Sequence, residues 1–126
     1  MLEVRRTSNK GWAVFALTAF KTGERLELSP VIFVSEAEMN LVHQTILSNY
    51  PYDWENQGEA FAMGVGSLFN HSYHPNACYV KHFQQLLVEF IAIREIQAGE
   101  EITINYNGSS NNQSPVWFEV NEEPSV

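Results

Sequence analysis

Cysteine and basic residues are scarce in this sequence of 126 residues. The one cysteine, Cys78, cannot form an internal disulfide, and it excludes a four-cysteine zinc site. Seven Lys and Arg against fifteen Asp and Glu give a formal net charge of -8, which argues against nonspecific nucleic-acid binding because such binding requires clustered cations. No apolar run approaches the ~20 residues of a membrane span, and the opening MLEVRRTSNK lacks the apolar stretch of a secretory signal. We therefore expect a cytoplasmic protein, or a nuclear one in a eukaryotic host, with no direct nucleic-acid partner and no membrane partner.

The length suits one apolar core and leaves no room for a second. The charges are unevenly spread: most basic residues precede position 26, while Glu119, Glu122 and Glu123 crowd the end. Such a distribution is typical of an ordinary solvated surface, and the alternative is an acidic platform that attracts a basic peptide. We expect a single domain over residues 1–118, with 107–118 as a closing tail, followed by an acidic C-terminal tail over 119–126.

Short β-branched and aromatic runs indicate a mainly β protein with one or two short helices. Residues 13–18 and 25–35 are predicted to form a hairpin or two neighbouring strands around a turn at Gly23. Proline cannot donate to a strand ladder, so Pro30 predicts that the second strand lies at an edge or is broken there.

One helix is predicted at about residues 36–48. Ser35 followed by Glu38 matches a capping box, and apolar residues then recur at helical spacing. Further along the chain, residues 86–94 and 102–106 carry the alternation and β-branching of strands.

Four potential metal ligands, His71, His74, Cys78 and His82, lie within twelve residues. Pro75 prevents a helix from placing the first two on one face, whereas the last two would share the face of a strand. We therefore expect separate hydrogen-bonding histidines and no metal site.

Three separated blocks resemble those of SET-domain methyltransferases. Residues 10–16 followed by Gly23 resemble the opening glycine-containing strand, residues 70–77 resemble the NHSxxPN block, and residues 99–106 resemble the GEExTxxY block. The resemblance extends over residues 3–118, and the small size is similar to that of the minimal SET proteins of large viruses and bacteria. It implies a SET-domain fold of small twisted sheets, mainly β with short helices. It also implies a pseudoknot-like crossing near the C-terminus, where the second block passes beneath the loop of the third.

The resemblance implies a protein-lysine N-methyltransferase that uses S-adenosyl-L-methionine. By similarity Tyr106 is the catalytic residue. The implied cofactor-binding positions are Lys10, Gly11, Trp12, Asn70 and His71. An aromatic, desolvating channel is expected because a lysine of pKa ~10.4 reacts only as the neutral amine. We assign Tyr50, Phe69, Tyr79 and Ile104 to this substrate channel.

The chain departs from the family pattern near its end. Asn105 stands where an acidic residue is common, and Ile104 stands where Phe or Tyr often influences how many methyl groups are added. The cysteine-rich segment that closes the cofactor pocket in many members is missing. We expect Trp117 and Phe118 to fold back and pack on the adenine instead, the alternative being core packing or a dimer contact.

The expected substrate is a basic, flexible, lysine-containing segment of a histone-like or ribosomal protein. One alternative is a non-catalytic SET-shaped module that holds lysine-containing peptides through cation–π contacts. Another is a small-molecule methyl acceptor. The sequence leaves two alternatives for the oligomeric state, a monomer and a homodimer that completes the substrate groove.

Overall fold

In a computed structural model, which describes residues 1–125, the chain is mainly β with two short helical segments, as predicted. The helical segments are α1, Glu36–Val42, and a 3₁₀ helix, Ile46–Asn49. The strands in the described residues are β1 (Leu2–Thr7), β2 (Gly11–Ala16), β3 (Arg25–Ser35), β4 (Tyr52–Asp53), β5 (Gly58–Ala62), β6 (Asn70–His71), β7 (Ala77–His82), β8 (Leu87–Ala92) and β9 (Thr103–Ile104).

These strands form three small sheets. The largest has the order β4-β5-β3-β8-β7, with antiparallel neighbours throughout, while β1 and β2 form an antiparallel hairpin. The predicted pairing of residues 13–18 with 25–35 is wrong, because β2 pairs with β1 and β3 pairs with β5 and β8. The chain between them crosses to the last third of the sequence instead, where Phe20 bridges to Ile96.

The prediction that Pro30 marks an edge or a break is also wrong, since β3 is continuous and central. Its first half pairs with β8 up to Pro30, and its second half pairs with β5 from Val31 onward. Pro30 therefore stands where the strand changes partner, so its missing N–H removes little from either ladder. Its carbonyl still accepts a hydrogen bond from the Met63 N–H at 2.9 Å.

The predicted helix begins as expected and ends early. The Ser35 hydroxyl accepts from the Glu38 N–H at 3.3 Å, as an N-cap does, but α1 ends at Val42. Thr45 then caps the separate 3₁₀ helix by accepting from the Leu47 N–H at 3.2 Å. The threonine hydroxyl thus offers the backbone an alternative to continuing the helix.

A parallel pairing of β6 with β9 joins the second and third sequence blocks, as the predicted crossing requires. Asn76, which is almost fully buried, locks it: its amide donates to the Glu101 carbonyl at 2.8 Å and its Oδ1 accepts from the Thr103 N–H at 2.9 Å. Because Ile102 N–H also donates to the Val14 carbonyl at 2.8 Å, the third block is held between β2 and β6.

The apolar core lies between these sheets, with Phe69 and Phe90 in contact at 4.6 Å between ring centroids. No helix within residues 1–125 is long and apolar enough to cross a membrane. In the same part of the chain, no three His, Cys, Asp or Glu side chains are grouped so that they could hold a metal ion.

Candidate active site

Tyr106 follows β9 and lies where two cavities meet. Its backbone N–H donates to His71 Nδ1 at 2.9 Å, and its hydroxyl donates to the Phe69 carbonyl at 2.6 Å. Burial, reinforced by Tyr50 and Glu101, raises the pKa of the Tyr106 phenol far above its ordinary value. The hydroxyl is therefore neutral, with its remaining lone pair free to accept.

The larger cavity has a volume of about 870 Å³ and aromatic walls. Tyr52 and Tyr79 meet edge to face at 5.1 Å, and their hydroxyls donate to the carbonyls of Gly66 at 2.7 Å and Tyr106 at 3.3 Å. Burial raises the pKa of Tyr79 to about 12 and that of Tyr52 well above its ordinary value. The part of the wall that these side chains form therefore consists of rings and neutral hydroxyls, which disfavour a charged group placed against them. The remaining lining residues include Tyr50, Phe69, Phe83, Tyr106 and Trp117.

The smaller cavity has a volume of about 710 Å³, and its charged lining residues, Arg6 and Lys10, are both basic. Its lining residues come from the β1–β2 hairpin, the chain around Asn70, and the tail: Arg6, Lys10, Gly11, Trp12, Leu68, Asn70 and Phe118 are among them. Both cavities share five lining residues, namely Asn49, Tyr50, Ser67, Tyr106 and Trp117. The two cavities are therefore adjacent, and they meet at the Tyr106 ring and its neighbours.

Glu101 connects the predicted cofactor residues, although the sequence analysis did not assign it. Its carboxylate accepts from Lys10 Nζ at 3.3 Å and from Asn70 Nδ2 at 2.8 Å. The same Asn70 amide donates to the Trp12 carbonyl at 3.1 Å. The Ser125 hydroxyl donates to Glu101 as well. The signal that could have revealed Glu101 is the second acidic residue of the GEExTxxY block.

His71 is 6% exposed and lines neither cavity. Its ring packs against Tyr73 at 4.5 Å and Tyr106 at 5.2 Å, and within residues 1–125 its Nε2 has no hydrogen-bonding partner. Burial lowers the pKa of His71, an effect that Glu122 opposes. Because Nδ1 accepts from the Tyr106 N–H, the His71 side chain holds the backbone of Tyr106 in position.

The tail folds back onto the wall between the cavities. The Trp117 indole stacks on the Tyr106 ring, its Nε1 donates to Asn49 Oδ1 at 3.3 Å, and Phe118 contacts Tyr106 at 5.9 Å between centroids. Trp117 lines both cavities and Phe118 the smaller one. Packing of these rings on an adenine stays a prediction. Residue 126, the last of the predicted acidic tail, lies outside the described residues.

Ile104 is the one assigned channel residue that lies away from the larger cavity. It is 0% exposed and belongs to the apolar core, because the pairing of β9 with β6 turns its side chain inward. Its neighbour Asn105 is also buried: its amide donates to the Asn112 carbonyl at 2.6 Å and its Oδ1 accepts from the Asn107 N–H at 3.0 Å. Asn105 therefore shapes the turn that leads into the tail.

The larger cavity also has charged lining residues that were not predicted from the sequence, namely Asp53, Glu59 and Lys81. Asp53 and Glu59 are register partners on β4 and β5. Lys81 follows Tyr79 by two positions on β7, and alternation along a strand places such residues on the same face. This spacing is the signal that could have added Lys81 to the channel.

Comparison with known proteins agrees with this architecture. The SET domain family matches residues 11–107. A curated relative, the Schizosaccharomyces pombe histone-lysine N-methyltransferase specific for H3 lysine-37, is 36% identical over 119 residues, which cover 94% of this chain and 77% of the relative. The chain therefore belongs to the SET-domain family. It is a protein-lysine N-methyltransferase.

A solved structure supports the fold. The crystal structure of a candidate histone methyltransferase from Plasmodium falciparum superposes with a TM-score of 0.70 at 30% identity, over 86% of this chain and 94% of that one. The mainly β SET-domain fold predicted from the three blocks is thus confirmed. Both relatives come from eukaryotes, and the resemblance to viral and bacterial minimal SET proteins stays a prediction.

Proposed function

We propose that this enzyme transfers a methyl group from S-adenosyl-L-methionine to a lysine side chain in a basic, flexible segment of a protein, with Tyr106 as the catalytic residue. The observation that carries the proposal is the position of Tyr106 on the wall common to two cavities, one lined by predicted cofactor residues and the other rich in aromatic rings. A methyl transfer requires two ligands that approach each other at one point, and this wall supplies that point.

The smaller cavity suits the cofactor. Its volume is within the usual range for cofactor sites. The Lys10 ammonium offers a positive charge for the carboxylate of the amino-acid end, and Asn70, whose amide N–H groups donate to Glu101 and the Trp12 carbonyl, offers its amide oxygen as an acceptor. Trp12, 47% exposed, and Phe118 offer ring faces for the adenine. When bound, S-adenosyl-L-methionine supplies a methyl group on a positively charged sulfur.

The larger cavity suits a lysine side chain that has lost its charge. Holding a lysine of pKa ~10.4 neutral near pH 7 costs roughly 4 to 5 kcal/mol at about 1.36 kcal/mol per unit. The rings of Tyr50, Phe69 and Tyr79 reduce that cost, because a desolvating environment disfavours the ammonium more than the amine.

Tyr106 contributes oriented polarity without a formal charge. Its hydroxyl proton is directed to the Phe69 carbonyl, so its oxygen presents a lone pair to the cavities. The raised pKa of the phenol makes it a poor general base near pH 7, and the lysine proton must leave to water through the cavity mouth. The amine lone pair then forms the new N–C bond as the bond from methyl carbon to sulfur breaks.

The net charge of -8 and the carboxylates of Asp53 and Glu59 at the larger cavity favour an approaching basic segment. Histone tails, histone-like proteins and basic ribosomal proteins share that chemistry. The histone specificity of the yeast relative supports a histone first and a nuclear location with it, whereas a ribosomal substrate would fit a cytoplasmic one.

The test is methyl transfer from isotopically labelled S-adenosyl-L-methionine to purified histone H3, to a basic ribosomal protein and to free lysine, with mass spectrometry of the labelled residue. We expect label on a lysine side chain of a protein. Cofactor binding without label on any acceptor would favour the non-catalytic module, and label on free lysine alone would favour a small-molecule acceptor.

A further inference from the structure

Lys81 of β7 is the only lysine or arginine that lines the larger cavity in the described part of the chain. Its side chain is half-buried, and its Nζ donates to the Asp53 carbonyl at 2.7 Å. The same atom lies 6.0 Å from the centroid of the Tyr79 ring, two residues earlier on the same face of the strand. The ammonium is therefore held against the aromatic wall, where solvent screens it less than at an open surface.

Two carboxylates, those of Asp53 and Glu59, line the same cavity as Lys81. Asp53 on β4 contributes its backbone carbonyl to the bond with Lys81, while its carboxylate is exposed. Glu59 on β5 has its carboxylate within 2.5 Å of His43 Nε2. Burial lowers the pKa of Lys81, and Asp53 opposes that shift. The other titratable groups that line this cavity are the phenols of Tyr50, Tyr52, Tyr79 and Tyr106.

We propose that Lys81 is an electrostatic selector for the target lysine, because its charge in the substrate cavity favours binding of the neutral amine over the ammonium. The inference rests on the proposed function and adds a residue to it. Two cations in one cavity repel each other, and the incoming side chain relieves the repulsion by releasing its proton to water. The amine lone pair is then free to form the N–C bond as the bond from methyl carbon to sulfur breaks.

The test is the pH profile of single-turnover methyl transfer at saturating cofactor, from pH 7 to pH 10, on histone H3 or whichever of the three acceptors above the wild type methylates. For Lys81→Met and Lys81→Gln we expect the rising limb to move to higher pH by about half a unit to one unit. Lys81→Arg should keep the wild-type limb because it keeps the charge. Lys21→Met removes an exposed charge that lines neither cavity and should also leave the limb in place.

The variants separate charge from tethering. Gln retains a donor for the Asp53 carbonyl, whereas Met does not. If Lys81 acts only through that hydrogen bond, Lys81→Met should transfer methyl groups more slowly than Lys81→Gln, and the rising limb of the pH profile should stay in place in both variants. That result would overturn the inference while leaving the proposed function intact. No transfer by the wild type to any acceptor would overturn the proposed function, and the inference with it.

A binding measurement gives a second readout that does not depend on turnover. At pH 7 the wild type should bind a histone H3 peptide with norleucine at the methylated position more tightly than the lysine peptide. In Lys81→Met this preference should fall by about threefold to tenfold, and in Lys81→Arg it should persist. An unchanged preference in Lys81→Met would overturn the inference.

Discussion

The indole of Trp117 lies nearly parallel to the Tyr106 ring, at 17° and with 5.6 Å between the centroids. Trp117 is itself 63% exposed, so this stack is its principal attachment, together with its bond to Asn49. A residue far along a polar tail thus becomes part of the wall that both cavities share.

Removing the stack should weaken cofactor binding. We expect Trp117→Ala, and truncation after Asn112, to reduce the affinity for S-adenosyl-L-methionine by about twofold to tenfold, the worth of one aromatic pair of about 0.5–1.5 kcal/mol. Isothermal titration calorimetry measures the change, and Leu41→Ala, an exposed apolar residue on α1, is the matched control. Unaltered affinity in a folded truncated protein would show that the tail does not close the cofactor site.

Tyr106→Phe should separate binding from chemistry. The ring and its stack with Trp117 remain, so cofactor affinity should stay within about twofold, but the loss of the oriented hydroxyl should reduce kcat by about a hundredfold. Tyr73→Phe is the control, since the Tyr73 hydroxyl donates to the Ser114 carbonyl and lines neither cavity. Wild-type turnover in Tyr106→Phe would remove this residue from the mechanism.

Acid should destabilise the fold through His71. Its pKa is lowered by burial, so the unfolded chain takes up a proton near the ordinary value of 6.5 while the folded chain does not. The free energy of unfolding should therefore keep the full contribution of neutral His71 above that value and lose it as the pH falls toward the lowered folded-state pKa.

Urea unfolding between pH 4.5 and 8 checks this expectation. His71→Gln should flatten the pH dependence, whereas His74→Ala, an exposed histidine three residues away, should follow the wild type. Identical pH dependence in His71→Gln and wild type would contradict the assignment. Because Nδ1 accepts from the Tyr106 N–H, the same protonation would also disturb the tyrosine.

The parallel pairing of β6 with β9 should depend on Asn76. Asn76→Ala leaves the part-buried Glu101 carbonyl and Thr103 N–H without the partners that Asn76 supplies and should lower the free energy of unfolding by about 2 to 4 kcal/mol. Asn111→Ala, at an exposed position in the tail, should change it by less than about 0.5 kcal/mol. Equal stability of the two variants, measured by denaturant unfolding, would mean that other contacts hold β9 beside β6.

The motif blocks made much of the fold predictable, because they contain the residues whose hydrogen bonds join the second block to the third. Asn76 of the second block and Tyr106 of the third are examples. The partner of β2 was missed although it is the adjacent strand β1, because β1 contains three charged residues, Glu3, Arg5 and Arg6, and so lacks the apolar pattern of a strand. The helix was predicted too long because the sequence does not show whether Thr45 continues α1 or caps a new helix, and in the structure it caps the 3₁₀ helix.

The site was predictable to a similar degree. Residues in the blocks, such as Lys10 and Asn70, do converge on one cavity. Ile104 does not reach the other, because one position on a two-residue strand decides whether a side chain faces the core or a cavity. Lys81 and Glu59 carry no motif, and only the packing of β7 and β5 around the aromatic wall reveals them.

The wall shared by the two cavities also limits how such an enzyme could change its substrate. A substitution at Tyr50, Ser67 or Trp117 alters the surroundings of both ligands, so a new acceptor preference gained there would also change cofactor binding. Residues that line the larger cavity alone, such as Val80 and Phe83, carry no such double constraint. Among proteins with two such adjoining cavities, differences in substrate preference should therefore concentrate at residues that line the larger cavity alone, and the residues of the shared wall should change little.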